Sequence, residues 1–168
     1  MNKTNDLSDI KKSLIETFEE VKEAVRHTEG RSRAGLMLGL QEIGASLDGF
    51  IGAYYPVASN IIVVNKTPFR RILETNRTLL KPYAFHVLLH EYIHALGYLD
   101  EETTEQKTYE ISKKHFGEHH PVTELSTDIR KFFPNLVYPI RGWIPPNGTP
   151  SIELVEGFDF SSTHPYIT

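Results

Sequence analysis

The first thirty residues carry apolar side chains at intervals of three and four, with Lys and Glu between them. This spacing puts the apolar side chains on one face of a helix, so it predicts an amphipathic α-helix that ends at Gly30. We expect the helix to pack against a core, since nothing on its polar face suggests chemistry. Its apolar positions are Leu7, Ile10, Leu14, Phe18, Val21 and Val25.

Short apolar runs broken by glycine follow this helix, and they favour strands. A helix is the alternative for the first run, but its two interior glycines count against it. The link before the last run contains Pro, Ser and Asn, which are typical of turns, so the last two strands are expected to pair antiparallel. The three predicted strands cover residues 33–43, 49–55 and 60–65.

Helical patterns dominate the next part of the chain, and the second predicted helix is followed by Gly97, a residue typical of a left-handed helix cap. Asp100 or Thr103 can cap the N-terminus of the third predicted helix. From Tyr138 onward the sequence is rich in Pro and Gly and shows no clear period. The predicted helices cover residues 67–74, 82–96, about 100–117 and about 125–133.

Length and composition indicate one domain. A chain of 168 residues, 39% of them hydrophobic, is long enough to bury a core. We find no repeat or domain boundary in it. The expectation is therefore a single α+β domain over residues 1–168, with an N-terminal helix at 1–30 and an irregular tail at 138–168. Its sheet would be small, three-stranded and mixed or antiparallel.

Charge and cysteine content narrow the function. A net charge of -4 argues against nucleic acid as a partner, because phosphate binding needs a basic face. No apolar run is long enough to span a membrane and the start lacks a signal peptide's apolar core, so a soluble, cytoplasmic protein without a membrane partner is expected. Without cysteine, only His and carboxylates remain as strong metal ligands.

Such ligands occur together in the second predicted helix, as the HExxH pattern His90-Glu91-Tyr92-Ile93-His94. Two histidines four residues apart share one helix face, so both imidazoles can reach one cation. Glu91 is rotated away from that face and can hydrogen-bond an activated water without ligating the metal. These residues therefore predict a metal site in which the two imidazoles bind one cation.

The longer run from His90 to Asp100 resembles the HExxHxxGxxH/D signature of zincin metallopeptidases, as found in metzincins and minimal metalloprotease-like domains. The order of elements over residues 33–117 is similar to a zincin upper subdomain. This resemblance implies a zincin-like fold with zinc as the metal. It also implies that His90, His94 and Asp100 are the zinc ligands and that Glu91 is the general base. The metzincin Met-turn is absent, because Met1 and Met37 both precede the motif.

The sequence therefore leaves the identity of the third metal ligand undecided. A gluzincin-like site would take a glutamate from the following helix, and antiparallel packing of the two helices would bring Glu105 or Glu110 near the histidine pair. Asp100 would then act only as a helix N-cap. We expect His86 to support the site from behind. Candidates for an oxyanion partner include Tyr92, Tyr98, Tyr138 and Tyr166.

This site predicts a zinc-dependent peptidase acting on a peptide or protein substrate, with the oligomeric state left open. The alternative is a zincin-fold binding or regulatory protein with a structural or closed metal site. The tail is too aromatic for easy disorder, so it is expected to pack on the domain. It would lie either across the metal cleft, anchored by Trp143, or around the far side of the core.

Overall fold

The computed structural model describes residues 3–139 and 142–162. Within these ranges it contains five α-helices and a small mixed sheet, which confirms the predicted α+β class. The helices are α1 (Lys3–Glu29), α2 (Lys66–Thr75), α3 (Leu80–Ala95), α4 (Glu101–Phe116) and α5 (Pro121–Thr127). The strands are β1 (Met37–Gln41), β2 (Phe50–Ile51), β3 (Ala53–Tyr54), β4 (Ile61–Asn65), β5 (Leu136–Val137) and β6 (Glu153–Leu154).

The first predicted helix is confirmed as α1, which buries its apolar face against α3. At the centre of this contact, the Phe18 ring meets the Tyr92 ring edge-on, with centroids 5.3 Å apart. Phe18 also stacks on Phe158, which the tail brings back to the core. α1 and the tail thus meet on one side of α3.

α3 is the central helix of the fold, and it has no solvated face. Every side chain from Tyr83 to Ala95 is buried. A helix that is apolar nearly all round is stable only inside a core. The polar side chains of the HExxH motif are therefore held rigidly inside the domain.

The main sheet has the strand order β3-β4-β1-β6. β1 pairs parallel with β4, in a register that runs from Met37 opposite Ile61 to Gln41 opposite Asn65. β3 pairs antiparallel with β4, which confirms the predicted pairing of the last two strands. β6 completes the sheet by pairing antiparallel with β1.

The prediction of a three-stranded sheet was wrong in two respects. The predicted strand at 49–55 divides at Gly52, so that β3 joins the main sheet while β2 pairs parallel with β5 in a second sheet. The chain passes close to α3 here, since a Cβ on Gly52 would lie 2.8 Å from the Tyr83 hydroxyl. The tail also supplies β6, whose two residues are too few to show a period.

The remaining helices lie close to their predicted positions. The last predicted helix begins earlier, as α5, and is followed by a 3-10 turn at Ile129–Lys131. Apart from β6 and a 3-10 turn at Phe160–Ser162, the tail from Tyr138 is irregular as predicted, as far as it is described. Residues 163–168 of the predicted tail lie outside the described residues. In the described ranges, no helix combines the length and apolar character needed to cross a membrane.

Candidate metal centre

A tight turn joins α3 to α4 and sets the geometry of the site. Gly97 has a φ of 110°, which confirms the predicted left-handed cap and reverses the chain. Asp100 then caps α4, because its Oδ2 accepts hydrogen bonds of 2.8 Å from the backbone N–H and the hydroxyl of Thr103. This cap makes Glu101 the first residue of α4 and brings its side chain back toward α3.

Glu101 meets both histidines of the HExxH motif. Its Oε2 lies 2.9 Å from His90 Nε2, and its Oε1 lies 2.8 Å from His94 Nε2. One ligand atom from each of the three residues lies within 4.8 Å of the others. The two histidines, four residues apart on α3, and the first residue of α4 thus converge on one point.

The carboxylate that lies beside the histidine pair belongs to Glu101, and not to Asp100, Glu105 or Glu110. Asp100 is exposed, and its carboxylate is occupied by the helix cap, so it does not join the histidine pair. Glu110 is exposed and accepts a hydrogen bond from Gln106. Glu105 lines a neighbouring cavity. Glu101 does belong to α4, the helix from which a gluzincin-like site would take its glutamate.

The ring of His94 is oriented by the turn that follows α3. Its Nδ1 lies 2.7 Å from the carbonyl oxygen of Tyr98. A carbonyl only accepts, so Nδ1 carries a proton. Nε2 faces the carboxylate of Glu101, and it is the atom left to bind a metal once it gives up its own proton. This is the arrangement that a ligating histidine needs, and the turn supplies it from the backbone.

His90 is held differently, by stacking. Its Nδ1 is buried and has no hydrogen-bond partner among the described residues. The Tyr138 ring lies parallel to the imidazole, with centroids 4.4 Å apart. Tyr138 is fixed in turn by His86, whose Nε2 lies 3.2 Å from the Tyr138 hydroxyl. The expectation that His86 supports the site from behind agrees with this contact.

Glu91 is buried within the same helix, with 4% of its surface exposed. Burial raises the pKa of its carboxyl group, while the positive charges of His90 and His94 act in the opposite direction. A carboxyl group in such surroundings takes up a proton more readily than one in water. Glu91 is therefore suited to accept and return a proton.

The negative charge of Glu101 and the positive charges of the two histidines stabilise one another. Burial acts to raise the pKa of Glu101, but hydrogen bonds from His90 and His94 and their positive charge outweigh it and hold the pKa at about 2. For His94, burial acts to lower the pKa, whereas Glu101 and Glu91 raise it, with a net rise. Glu101 is thus a carboxylate at neutral pH, as a metal ligand must be.

A cleft of about 270 Å³ gives access to this group. Glu91, His94 and Glu101 lie along one side of it. The other walls come from the chain after β3, at residues 54–57, and from the tail, at Pro139 and residues 142–144. The part of the tail near Trp143 therefore lies beside the cleft, while β6 and Phe158 complete the core, so each of the two expected positions holds for one part of the tail.

No family model, curated protein or solved structure matches this chain. The interpretation of these residues as a candidate metal site therefore depends on their geometry alone.

Of the tyrosines considered as oxyanion partners, the described ones have other contacts. The Tyr92 hydroxyl accepts from the backbone N–H of Arg33 in the core, and Tyr138 is turned toward His86. Tyr98 lies between the side chains of Arg31 and Lys107. Tyr166 lies outside the described residues.

Glu101 is the residue that reasoning from sequence missed. The available signal was its position directly after a good N-cap residue, because the first turn of α4 must face the end of α3 when the connection is short. Two of the other histidines make contacts away from this group. His115 pairs with Glu20 at 3.1 Å, and His120 Nδ1 caps α5.

Proposed function

We propose that this protein is a zinc-dependent peptidase, with His90, His94 and Glu101 as metal ligands and Glu91 as general base. The observation that carries the proposal is the convergence of two imidazole Nε2 atoms and one carboxylate on a single point beside a buried glutamate. The resemblance of residues 90–97 to the zincin motif favours the same reading. Glu101 in place of Asp100 makes the ligand set gluzincin-like.

The donor set fits zinc. Two imidazoles and a carboxylate are a ligand combination typical of catalytic zinc sites, which keep one position for water or substrate. His94 already presents Nε2 with its Nδ1 bound to Tyr98, and Glu101 is ionised at neutral pH. The carboxylate of Glu101 is partly exposed, with 39% of its side-chain surface accessible, so the group opens toward the cleft.

Zinc at this position would supply a water of lowered pKa and polarise a peptide carbonyl. The carboxylate of Glu91 would accept a proton from the attacking water and deliver it to the leaving amine. Burial of Glu91 favours this role, because its raised pKa makes the protonated form accessible during turnover. Glu101 and the two histidines would stay fixed throughout.

The test compares the wild type with Glu91→Gln and, as a matched control, Glu110→Gln. Zinc is measured after purification, and hydrolysis is measured on an unfolded protein substrate. We expect about one zinc per chain in all three and a loss of hydrolysis by about 10²- to 10⁴-fold in Glu91→Gln only. Zinc without hydrolysis in the wild type would instead support the alternative, a binding or regulatory protein with a closed metal site.

A further inference from the structure

The cleft beside the candidate metal centre has apolar walls. Val57 is 43% exposed and Ile144 is 78% exposed, although both are large hydrophobic residues. Leu99 and Trp143 line the same cleft and are half-buried. Exposed apolar side chains gathered around one opening are uncommon unless they bind something.

The wall formed by Trp143 is held in place by contacts within the domain. The Trp143 ring packs edge-on against Tyr54, with centroids 5.0 Å apart. Tyr54 is anchored by its hydroxyl, which lies 2.7 Å from the side-chain oxygen of Gln41. Trp143 is therefore fixed by the folded domain itself, and its part of the wall forms without a partner.

The volume of the cleft limits the size of the group that it can bind. At about 270 Å³ it is smaller than the roughly 300–1,000 Å³ of pockets that enclose whole drug-sized ligands. It suits one or two side chains of a longer chain whose ends remain outside. Glu91 and Glu101 lie along the same cleft, so a side chain seated between the walls belongs to a residue close to the reacting bond.

We infer that the cleft selects peptide segments with a large apolar side chain next to the bond to be cleaved, and that Val57, Trp143 and Ile144 determine this preference. The inference rests on the proposed function. A leucine or phenylalanine side chain would be removed from water against these walls, which an asparagine side chain of similar size would resist.

The single tryptophan of the chain makes binding measurable without hydrolysis. Trp143 fluorescence is followed in zinc-loaded Glu91→Gln while blocked pentapeptides Ala-Ala-X-Ala-Ala are added, with X as Leu, Phe, Asn or Ala. We expect the Leu and Phe peptides to bind at least about tenfold more tightly than the Asn peptide.

Charged substitutions test which residues determine the preference for an apolar side chain. Val57→Glu and Ile144→Glu are each added to Glu91→Gln and should weaken binding of the Leu peptide by about tenfold. Leu47→Glu is the matched control, because Leu47 is fully exposed and does not line the cleft; it should change nothing. Circular dichroism verifies that every variant is folded.

The inference is overturned if the Leu and Asn peptides bind equally, if no peptide binds at millimolar concentration, or if the cleft variants behave like the control. Hydrolysis by the wild type separates this outcome from failure of the proposed function. Cleavage without side-chain preference would overturn the inference alone. Selective binding without any cleavage would support the apolar cleft and overturn the peptidase assignment.

Discussion

The ring of Tyr138 lies on the ring of His90, with the centroids 4.4 Å apart and the planes within 6° of parallel. His90 Nδ1 has no hydrogen-bond partner among the described residues, so the stacking is the contact through which Tyr138 holds this ring. Tyr138 follows β5, so its position depends on the pairing of β5 with β2. The second, two-stranded sheet thereby supports a candidate metal ligand.

Replacing Tyr138 tests whether stacking orients His90. Tyr138→Phe keeps the ring and removes the hydroxyl, so zinc affinity should stay close to that of the wild type. Tyr138→Ala removes the ring and should weaken zinc binding by about two- to tenfold, the range expected for one aromatic pair. Competition with a chromophoric chelator measures both. If the Phe variant is as weak as the Ala variant, the hydrogen bond to His86 matters and the stacking does not.

The third ligand is tested by two neighbouring substitutions. Glu101→Gln should weaken zinc binding by more than about 100-fold, which exceeds the loss typical of residues behind the ligands. Asp100→Asn should leave zinc affinity unchanged, since Asn caps helices about as well as Asp. Isothermal titration with zinc measures both variants. The opposite result, with zinc lost only in Asp100→Asn, would restore the ligand set that the extended motif implied.

Local sequence patterns predicted the parts of the site that lie on one element. The spacing of four between His90 and His94 needs only a helix to bring the two rings together, and the helix was evident from its apolar residues. Gly97 likewise predicted the end of α3 by itself. The antiparallel pairing of β3 with β4 followed from the turn residues between them.

The remaining parts depend on contacts between distant segments. β2, β3, β5 and β6 have two residues each, so they become strands only through their partners in the fold. Tyr138 and Trp143 reach the site because the tail returns to it, and no local pattern encodes that return. The zincin-like motif directed attention to Asp100, whereas the helix cap at Asp100 brings Glu101 beside the histidines.

The ion pairs between Glu101 and the histidines predict how the stability of the metal-free protein depends on pH. The pKa of Glu101 falls from 4.5 to about 2, so its stabilising contribution is complete above pH 4.5 and is lost as the pH falls toward 2. The pKa of His94 rises above 6.5, so its contribution is complete below pH 6.5 and is lost as the pH rises through the higher folded value.

In chelator-treated protein, the wild type should therefore exceed Glu101→Gln in stability most clearly between about pH 4.5 and 6.5. The difference should shrink on both sides of this window. Urea denaturation of both proteins at pH values from 3 to 9, followed by circular dichroism, measures it. A difference that grows steadily above pH 8 would contradict the ion-pair geometry.

The return of the tail is anchored away from the metal centre, by an ion pair between Lys22 of α1 and Asp159. Both side chains are buried, and Asp159 Oδ2 also accepts a hydrogen bond of 3.1 Å from the backbone N–H of Leu36. Lys22 has further contacts at 3.0 Å with Glu19 and at 2.6 Å with Ser161. The tail, α1 and the chain before β1 are thus joined at one buried ion pair.

Asp159→Asn should lower the free energy of unfolding by about 3 kcal/mol, because it removes the fully buried partner of Lys22 and leaves that charge only the half-buried Glu19. Asn is the appropriate replacement, since it tolerates the positive φ of 55° at this position and can still accept from Leu36. Urea denaturation measures the change, with the exposed Glu156→Gln as a control that should stay within about 0.5 kcal/mol of the wild type. A loss below about 1 kcal/mol for Asp159→Asn would mean that Glu19 and Ser161 suffice for Lys22 and that the tail is held chiefly by β6 and Phe158.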